Sequence, residues 1–568
     1  AARAGFPPSD LRRAPVKPGA DVPLYGGTYI IQASSDPTGF DPRTQQVGTF
    51  KLVGEELGQS NWEEVPLEEF DYVEWTNIPI GVSSPSGKPY SVGALAESWE
   101  TKDMQTITFH IRKGIRFHNI PPANGREMTA YDIEYVWQRY FGLGSGYTSP
   151  DPRARPTTYG PPVSVTATDK WTLVVKLPNP SLTYFRKTFQ ENLDLYIYPR
   201  ETVDKWGDLN RWDRVIGTGP FMVKDYVAGS SITVVRNPNY WQRDVRYPQN
   251  QLPYVDSVKV LIIPDKSTAL AAFRTGKIDR LEDLDWESAR QLKKTNPAIN
   301  VYTETRMGSV PSIAMQLDRP PFKDIRVRRA MQQAIDLKTL AATYWGGIPD
   351  GLPPTSARSP GYTSKYADWP QEVKDGYAYN PKGAKQLLTE AGYPNGFKTT
   401  LVIPRSADLD LMAILKAYWA DISVYGELNV METGAYNNYA YVAGKVEGMS
   451  LARFGANSGG GAGFFYQKSG KRADVYLQHH NNDPYFEELG ERALSTVDQG
   501  EEMRLTIEGD LYAVSQQWQV VTQKVPTSMA AQPWVKRFLP VVSGGTGLEG
   551  HLASYIWIDQ DLKKAMGR

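Results

Sequence analysis

Apolar residues recur along this chain with two spacings. Ile107, Phe109 and Ile111 alternate with Thr108, His110 and Arg112, the period of a half-buried strand. Lys113-Gly114 follows as a turn, so "TITFHIRKGIRFH" reads as a hairpin. "TYIIQA" (28–33), "TLVVKL", "SITVVRN", "SVKVLII", "TTLVIP" and "LNVMET" read as further strands. Between them the spacing becomes helical. Val327, Met331, Ala334 and Ile335 in "RVRRAMQQAIDLKTL" share one face, as do Ala384, Leu387, Leu388 and Ala391. Start and stop signals agree with these helices. Thr129 precedes "AYDIEYVWQRYF", Asp265 precedes "KSTALAAFRTG", and Asn380-Pro381 opens a helix that Gly392 ends. Strands alternating with helices predict an α/β fold.

Composition narrows the function classes. The 568 residues suffice for two to four domain-sized units, and 40% hydrophobic with 22% charged is globular usage. Lys plus Arg equals Asp plus Glu at 63 each, so the basic excess of a nucleic-acid protein is missing. With no cysteine, disulfides, thiolate metal sites and a cysteine nucleophile are excluded. That absence fits an exported protein or a thermophile equally. No window approaches the ~18 consecutive apolar residues of a membrane span. Residues 1–24 are rich in Pro, Ala and Arg, without a signal peptide's apolar core, and read as an extended tail. Either the protein is cytosolic or an export signal has been removed. Aromatics, at 12%, fit a large core or an aromatic-lined pocket.

Catalytic motifs are missing. "GTGPF" (217–221) suggests a phosphate cradle, but Pro220 has no N–H to offer and Met222 stands where a third glycine belongs. It reads as a bend. No phosphate-loop lysine signature, nucleophile elbow or paired-histidine zinc motif occurs. The five histidines are His110, His118, His479, His480 and His551, and the two adjacent ones diverge on strand or helix alike. No catalytic residue, metal ligand or cofactor is indicated. Carboxylate pairs for a hydrolase remain open, without a positive sign.

Five blocks in order resemble the family 5 extracellular solute-binding proteins of ABC importers. They are "ALAESWE" with "TITFHIRKGIRFH", then "TAYDIEYVW", "GTGPFMVKDYVAGSSITVVRNPNYW", "PPFKDIRVRRAMQQAID" and "YNPKGAKQLLTEAGYPNGF". The resemblance runs from about Tyr25 to the C-terminus. It implies a periplasmic-binding-protein-like fold with mixed sheets and a ligand cleft between two lobes, plus an extra subdomain. Lobe I would comprise 25–60, 165–306 and 527–568, the extra subdomain 61–164, and lobe II 307–526. Closure about two crossovers would trap an oligopeptide for an ABC permease, without covalent chemistry. The receptor would be a monomer peripheral to the membrane, periplasmic or anchored to its outer face. A lipidated cysteine ahead of Ala1 would use the tail as a tether.

Site residues follow from the same resemblance. Peptide-binding relatives offer a carboxylate to the ligand's ammonium from a Trp-x-Ala-Asp motif. Here Phe454, Ala456 and Asn457 occupy those places, beside Arg453. A neutral amide compensates an ammonium poorly but suits hydroxyl groups, so an oligosaccharide competes with a peptide as ligand. Arg405, which follows "TLVIP", would hold a carboxylate. Ser34 and Ser35 after the first strand, with Tyr72 and Trp75 in the extra subdomain, complete the set.

Overall fold

The computed structural model describes residues 22–37, 39–42, 48–61, 64, 87–89, 91–144, 146, 161–182, 195–306, 310–354, 362–442, 445–454, 464–465, 481–538 and 550–568. Strand β1 (Thr28–Ala33) opens the architecture, and β2 (Gly58–Ser60) pairs with β3 (Ser91–Gly93). β4 (Ala96–Thr101), β5 (Thr106–Ile111), β6 (Ser164–Asp169) and β7 (Thr172–Lys176) form an antiparallel sheet in the order β4-β5-β7-β6. β8 (Phe221–Val227), β9 (Ser231–Arg236), β10 (Ser257–Ile262), β11 (Arg280–Leu284) and β12 (Asn300–Arg306) then return to β1.

The chain next builds a five-stranded sheet. It contains β13 (Val310–Met315), β14 (Phe397–Pro404), β15 (Val424–Met431), β16 (Met449–Phe454) and β17 (Gln519–Val521), in the order β15-β14-β16-β13-β17. β18 (Val525–Ala531) completes the first, seven-stranded sheet, ordered β12-β18-β11-β1-β10-β9-β8. β19 (Val535–Lys536) and β20 (Trp557–Ile558) pair beside it.

Local sequence explains most of these elements. Asp265, Asp285, Asp336 and Asp408 each accept a backbone N–H in the first turn of the helix that follows. The helix Ala130–Phe141 begins at Thr129, whose N–H and hydroxyl both donate to Asp132, and ends at Gly142 with φ +68°. Asn380 caps the helix Pro381–Glu390 with proline in its first turn.

Two expectations change. Residues 106–118 are not a hairpin. β5 pairs with β4 and β7, and the segment after Gly114 makes only the bridge Arg116–Glu127. Ile115 and Phe117 are buried in the core rather than laid on a sheet face. The apolar face of 326–340 is shared by two helices, Ile325–Gln333 and Leu337–Thr343, because Asp336 caps a new start. β6 and β7 lie in the small sheet with β5.

The glycine-rich bend proves structural. Gly219 donates to the Val53 carbonyl at 2.8 Å. A Cβ would stand 2.3 Å from that oxygen at Gly217 and 2.6 Å at Gly219. His118, from the segment after β5, accepts the Gly217 N–H on Nδ1 at 3.2 Å and donates from Nε2 to the Gly219 carbonyl at 3.0 Å. These partners fix the neutral tautomer with its proton on Nε2, and burial pushes the imidazole down to about 4. Tyr240 and Trp241 both donate to the buried Glu55 carboxylate at 3.0 Å. Burial outweighs these donors and pushes Glu55 up to about 7. One continuous apolar cluster thus joins the small sheet to the seven-stranded one, from Phe109 and Trp137 to Tyr29 and Met529. The five-stranded sheet has its own cluster, around Ile313, Met331, Leu401 and Trp419.

Candidate functional site

Strand direction decides where a ligand would meet this protein. β1 runs parallel to β10 and β11, and β11 and β12 are both antiparallel to β18. The carboxyl ends of β1, β10, β11 and β12 therefore share one end of the seven-stranded sheet. The chain leaves that end after Arg306, enters the second sheet at Val310, and returns from Val521 to Val525, which pairs with Arg306. In the second sheet β14 is parallel to β15 and β16, and Phe454 at the end of β16 pairs with Val310. Carboxyl ends of parallel strands from both sheets thus meet where the two crossovers run. Open α/β sheets bind ligands at such ends.

On the first side lies a cleft of about 250 Å³, lined by Gln32, Ser34, Ser267, Arg280, Glu282 and Asp283 among others. β11 carries a bulge there. Leu281 faces Ala530 and Leu284 faces Ser528, leaving one extra residue on β11, and Asp283 has φ +54°. Arg280 is 2% exposed, is ion-paired with Glu282, and lies 5.4 Å from the Phe538 ring. Burial opposes its charge, but Glu282 and the Tyr29 hydroxyl outweigh that and hold the guanidinium protonated. The helices Lys266–Arg274 and Trp286–Thr295 start at this cleft. Asp265 and Asp285 cap them, accepting the Thr268 and Ser288 N–H at 2.7 Å.

On the second side, Arg405 follows β14 with an exposed side chain, and its N–H donates to the Met431 carbonyl at 2.7 Å. Three residues on, Asp408 caps the helix Leu409–Asp421 and accepts the Tyr344 hydroxyl at 2.7 and 2.8 Å. Glu432, after β15, is held below the usual carboxylate range by the Gly434 and Ala435 N–H groups, with a final contribution from the Arg405 charge.

Of the residues expected from sequence, Ser34 lines the cleft, and Ser35 beside it is exposed. Arg405 and the backbone of Arg453 and Phe454 lie at the facing end of the second sheet. The side chains of Arg453 and Phe454, and all of Ala456, Asn457, Tyr72 and Trp75, lie outside the described residues. Arg280, Glu282 and Asp283 were not anticipated. In "KIDRLEDLD" their only signal is a cluster of charges inside a strand, and no glycine or asparagine marks the positive φ. Among the described residues no group of acidic residues and histidines forms a metal site, and no helix is long and apolar enough to cross a membrane.

Two sheets joined by paired crossovers, with parallel strand ends turned toward a shared mouth, define the class of two-lobe binding proteins. Within it, the chain belongs to the bacterial extracellular solute-binding proteins, family 5, whose model matches residues 91–474. Heme-binding protein A of Haemophilus influenzae is 30% identical over 348 residues, 58% of this chain and 60% of that protein. A dipeptide-binding protein of Pseudomonas aeruginosa is 25% identical over 453 residues, 75% of this chain and 76% of that one. The matched region thus spans about 60% of the first relative's length. Among solved structures, the Helicobacter pylori periplasmic binding protein DppA with peptide STSA superposes with TM-score 0.72 at 21% identity, covering 94% of this chain and 99% of that one. Bacillus subtilis AppA with a nonapeptide gives 0.68 at 18%, covering 94% and 100%. These likenesses establish the fold.

Proposed function

We infer that this chain is the receptor of an ABC importer and captures an oligopeptide-like solute between its two sheets. The observation that carries this reading is the meeting of parallel carboxyl ends from both sheets beside two crossovers. The seven-stranded sheet acts as lobe I and the five-stranded sheet as lobe II, with the small sheet as the extra subdomain. The crossovers at 307–309 and 522–524 act as the hinge. A ligand touching both lobes stabilises the closed form by its differential affinity. The extended backbone of a peptide adds to strand ends through main-chain hydrogen bonds. Phe454, Ala456 and Asn457 flank it from lobe II with Arg453, Arg405 receives its carboxylate, and Ser34 and Ser35 face it from lobe I. Tyr72 and Trp75 supply apolar cover.

The peptide names and bound peptides among the relatives favour this ligand class over an oligosaccharide. The protein works outside the cytoplasmic membrane as a monomer and leaves its ligand chemically unchanged. Thermal shift against a peptide library and a glycan panel tests the reading. Peptides raise the melting temperature and glycans do not; the reverse result overturns it. Mass spectrometry after long incubation recovers the ligand intact, whereas turnover products would place the chain among hydrolases.

A further inference from the structure

Trp286 reaches across from the first unit to the second, where Val525 of β18 also packs against the apolar cluster. Trp286 is the first residue of the helix Trp286–Thr295, directly after the cleft-lining Leu284 and Asp285. Its indole Nε1 donates to the Tyr344 carbonyl at 3.1 Å, and the ring packs against the apolar cluster of the five-stranded sheet. The receiving surface is shaped for it. Gly346 has φ +63°, and a Cβ there would stand 2.5 Å from the indole Cζ3 and 2.7 Å from Cε3. Tyr344 stacks edge-on against Trp345 at 4.7 Å, and its hydroxyl is fixed by Asp408. Arg290 lies 5.1 Å from the indole ring on Trp286's own helix. Ser181 Oγ, from the segment after β7, also donates to the Leu494 carbonyl, at a long 3.4 Å.

We propose that Trp286 is an interlobe latch, a positioning residue that holds the two sheets in this mutual arrangement before any ligand arrives. The geometry couples three places. The loop carrying Asp285 lines the first-lobe cleft, the indole seats on Tyr344–Gly346, and Tyr344 is tied to Asp408, three residues from Arg405. A rotation of one sheet against the other must therefore slide the indole off the Gly346 notch and break its hydrogen bond. Because the notch exists only while residue 346 lacks a side chain, the seat is steric as well as polar. The latch sets the fraction of ligand-free protein already arranged for binding, and apparent affinity scales with that fraction. The affinity consequence rests on the solute-receptor reading; the structural one does not.

The chain has no cysteine, so two introduced cysteines give unique spin-label sites. Lys277→Cys and Lys385→Cys place labels on exposed positions of the two units. Pulsed electron–electron resonance on the ligand-free full chain then reads the interlobe distance. Trp286→Ala and Gly346→Ala are expected to move the distribution to a longer, broader one. Trp286→Phe, which keeps a ring but loses the donor, shifts it less. Distributions that superimpose on the parent's, with circular dichroism confirming the fold, overturn the latch. If Trp286→Ala does not fold, Trp286→Phe carries the test, and an unchanged distribution again overturns it. No ligand enters the experiment, so its outcome is separate from the identity of the solute.

Discussion

The Gly219 N–H and the Val53 carbonyl are joined at 2.8 Å, across a gap too narrow for any side chain at position 219. A Cβ there would press on backbone, which cannot yield as a flexible side chain would. Gly219→Ala is therefore expected to lower stability by about 1–3 kcal/mol, the range for overpacking a filled core. Urea unfolding read by tryptophan fluorescence checks this. An unchanged midpoint would mean that the bend relaxes freely.

His118 predicts an acid limb. Its folded value, about 4, lies below the ordinary 6.5. The unfolded chain therefore takes up a proton first on acidification. The contribution is full above pH 6.5 and is lost as pH falls through about 4. Its ceiling is of order 3 kcal/mol. His118→Asn is expected to be less stable at pH 7 and to show a flatter stability profile between pH 6.5 and 4. Denaturant midpoints measured across that window decide it.

Glu55 acts in the opposite direction. Its folded value, about 7, lies above the ordinary 4.5, so its contribution is present below pH 4.5 and is lost as pH rises through 7. Glu55→Gln keeps an acceptor for Tyr240 and Trp241 and cannot ionise. The variant is expected to exceed the parent in stability at pH 8 and to match it near pH 5. Equal midpoints at pH 8 would count against the buried carboxylate's role.

Arg280 is buried and its ion-pair partner Glu282 is partly exposed. Glu282→Gln removes the ion pair with the buried Arg280 guanidinium and is expected to cost about 3 kcal/mol. Arg280→Met with Glu282→Gln removes both charges and is expected to recover most of that loss. A double-mutant cycle in chemical denaturation gives the comparison.

Arg405 separates binding from folding. Its exposed side chain makes Arg405→Ala neutral for stability to within about 0.5 kcal/mol. On the proposed receptor reading it weakens peptide binding by roughly tenfold to a hundredfold, the loss of a charge-assisted hydrogen bond. Titration calorimetry with a peptide identified by thermal shift is the measurement. Affinity equal to the parent's would remove Arg405 from the site.

Much of the fold was legible because local signals agreed with the tertiary structure. Asp265, Asn380 and Thr129 begin helices where the polar-to-apolar pattern says they should. The segment 106–118 was misread because alternation sees burial and cannot see partners. β5 is buried between β4 and β7, and β7 lies more than 60 residues further along the chain. The cleft was less legible still. Ser34 and Arg405 could be placed because they follow recognisable strands. Glu282 and Asp283 owe their position to a bulge that depends on β18. Trp286 carries no signal of its own in the sequence, since its partner Tyr344 is remote along the chain.

The slot between β11 and β12 in the seven-stranded sheet belongs to β18, which is synthesised only after the whole five-stranded sheet. Until then β12 lacks the neighbour it has in the finished sheet, and Trp534, whose indole donates to Asp279 at 2.7 Å, is not yet made. As the chain emerges from the ribosome, the second unit can therefore finish folding before the first. β1 finds both its neighbours, β10 and β11, earlier in the chain than β18, and it is β12 that waits for β18 to join the sheet. This order of assembly leaves the β12 edge unpaired until β18 is made, and an unpaired strand edge is a template for pairing with other chains.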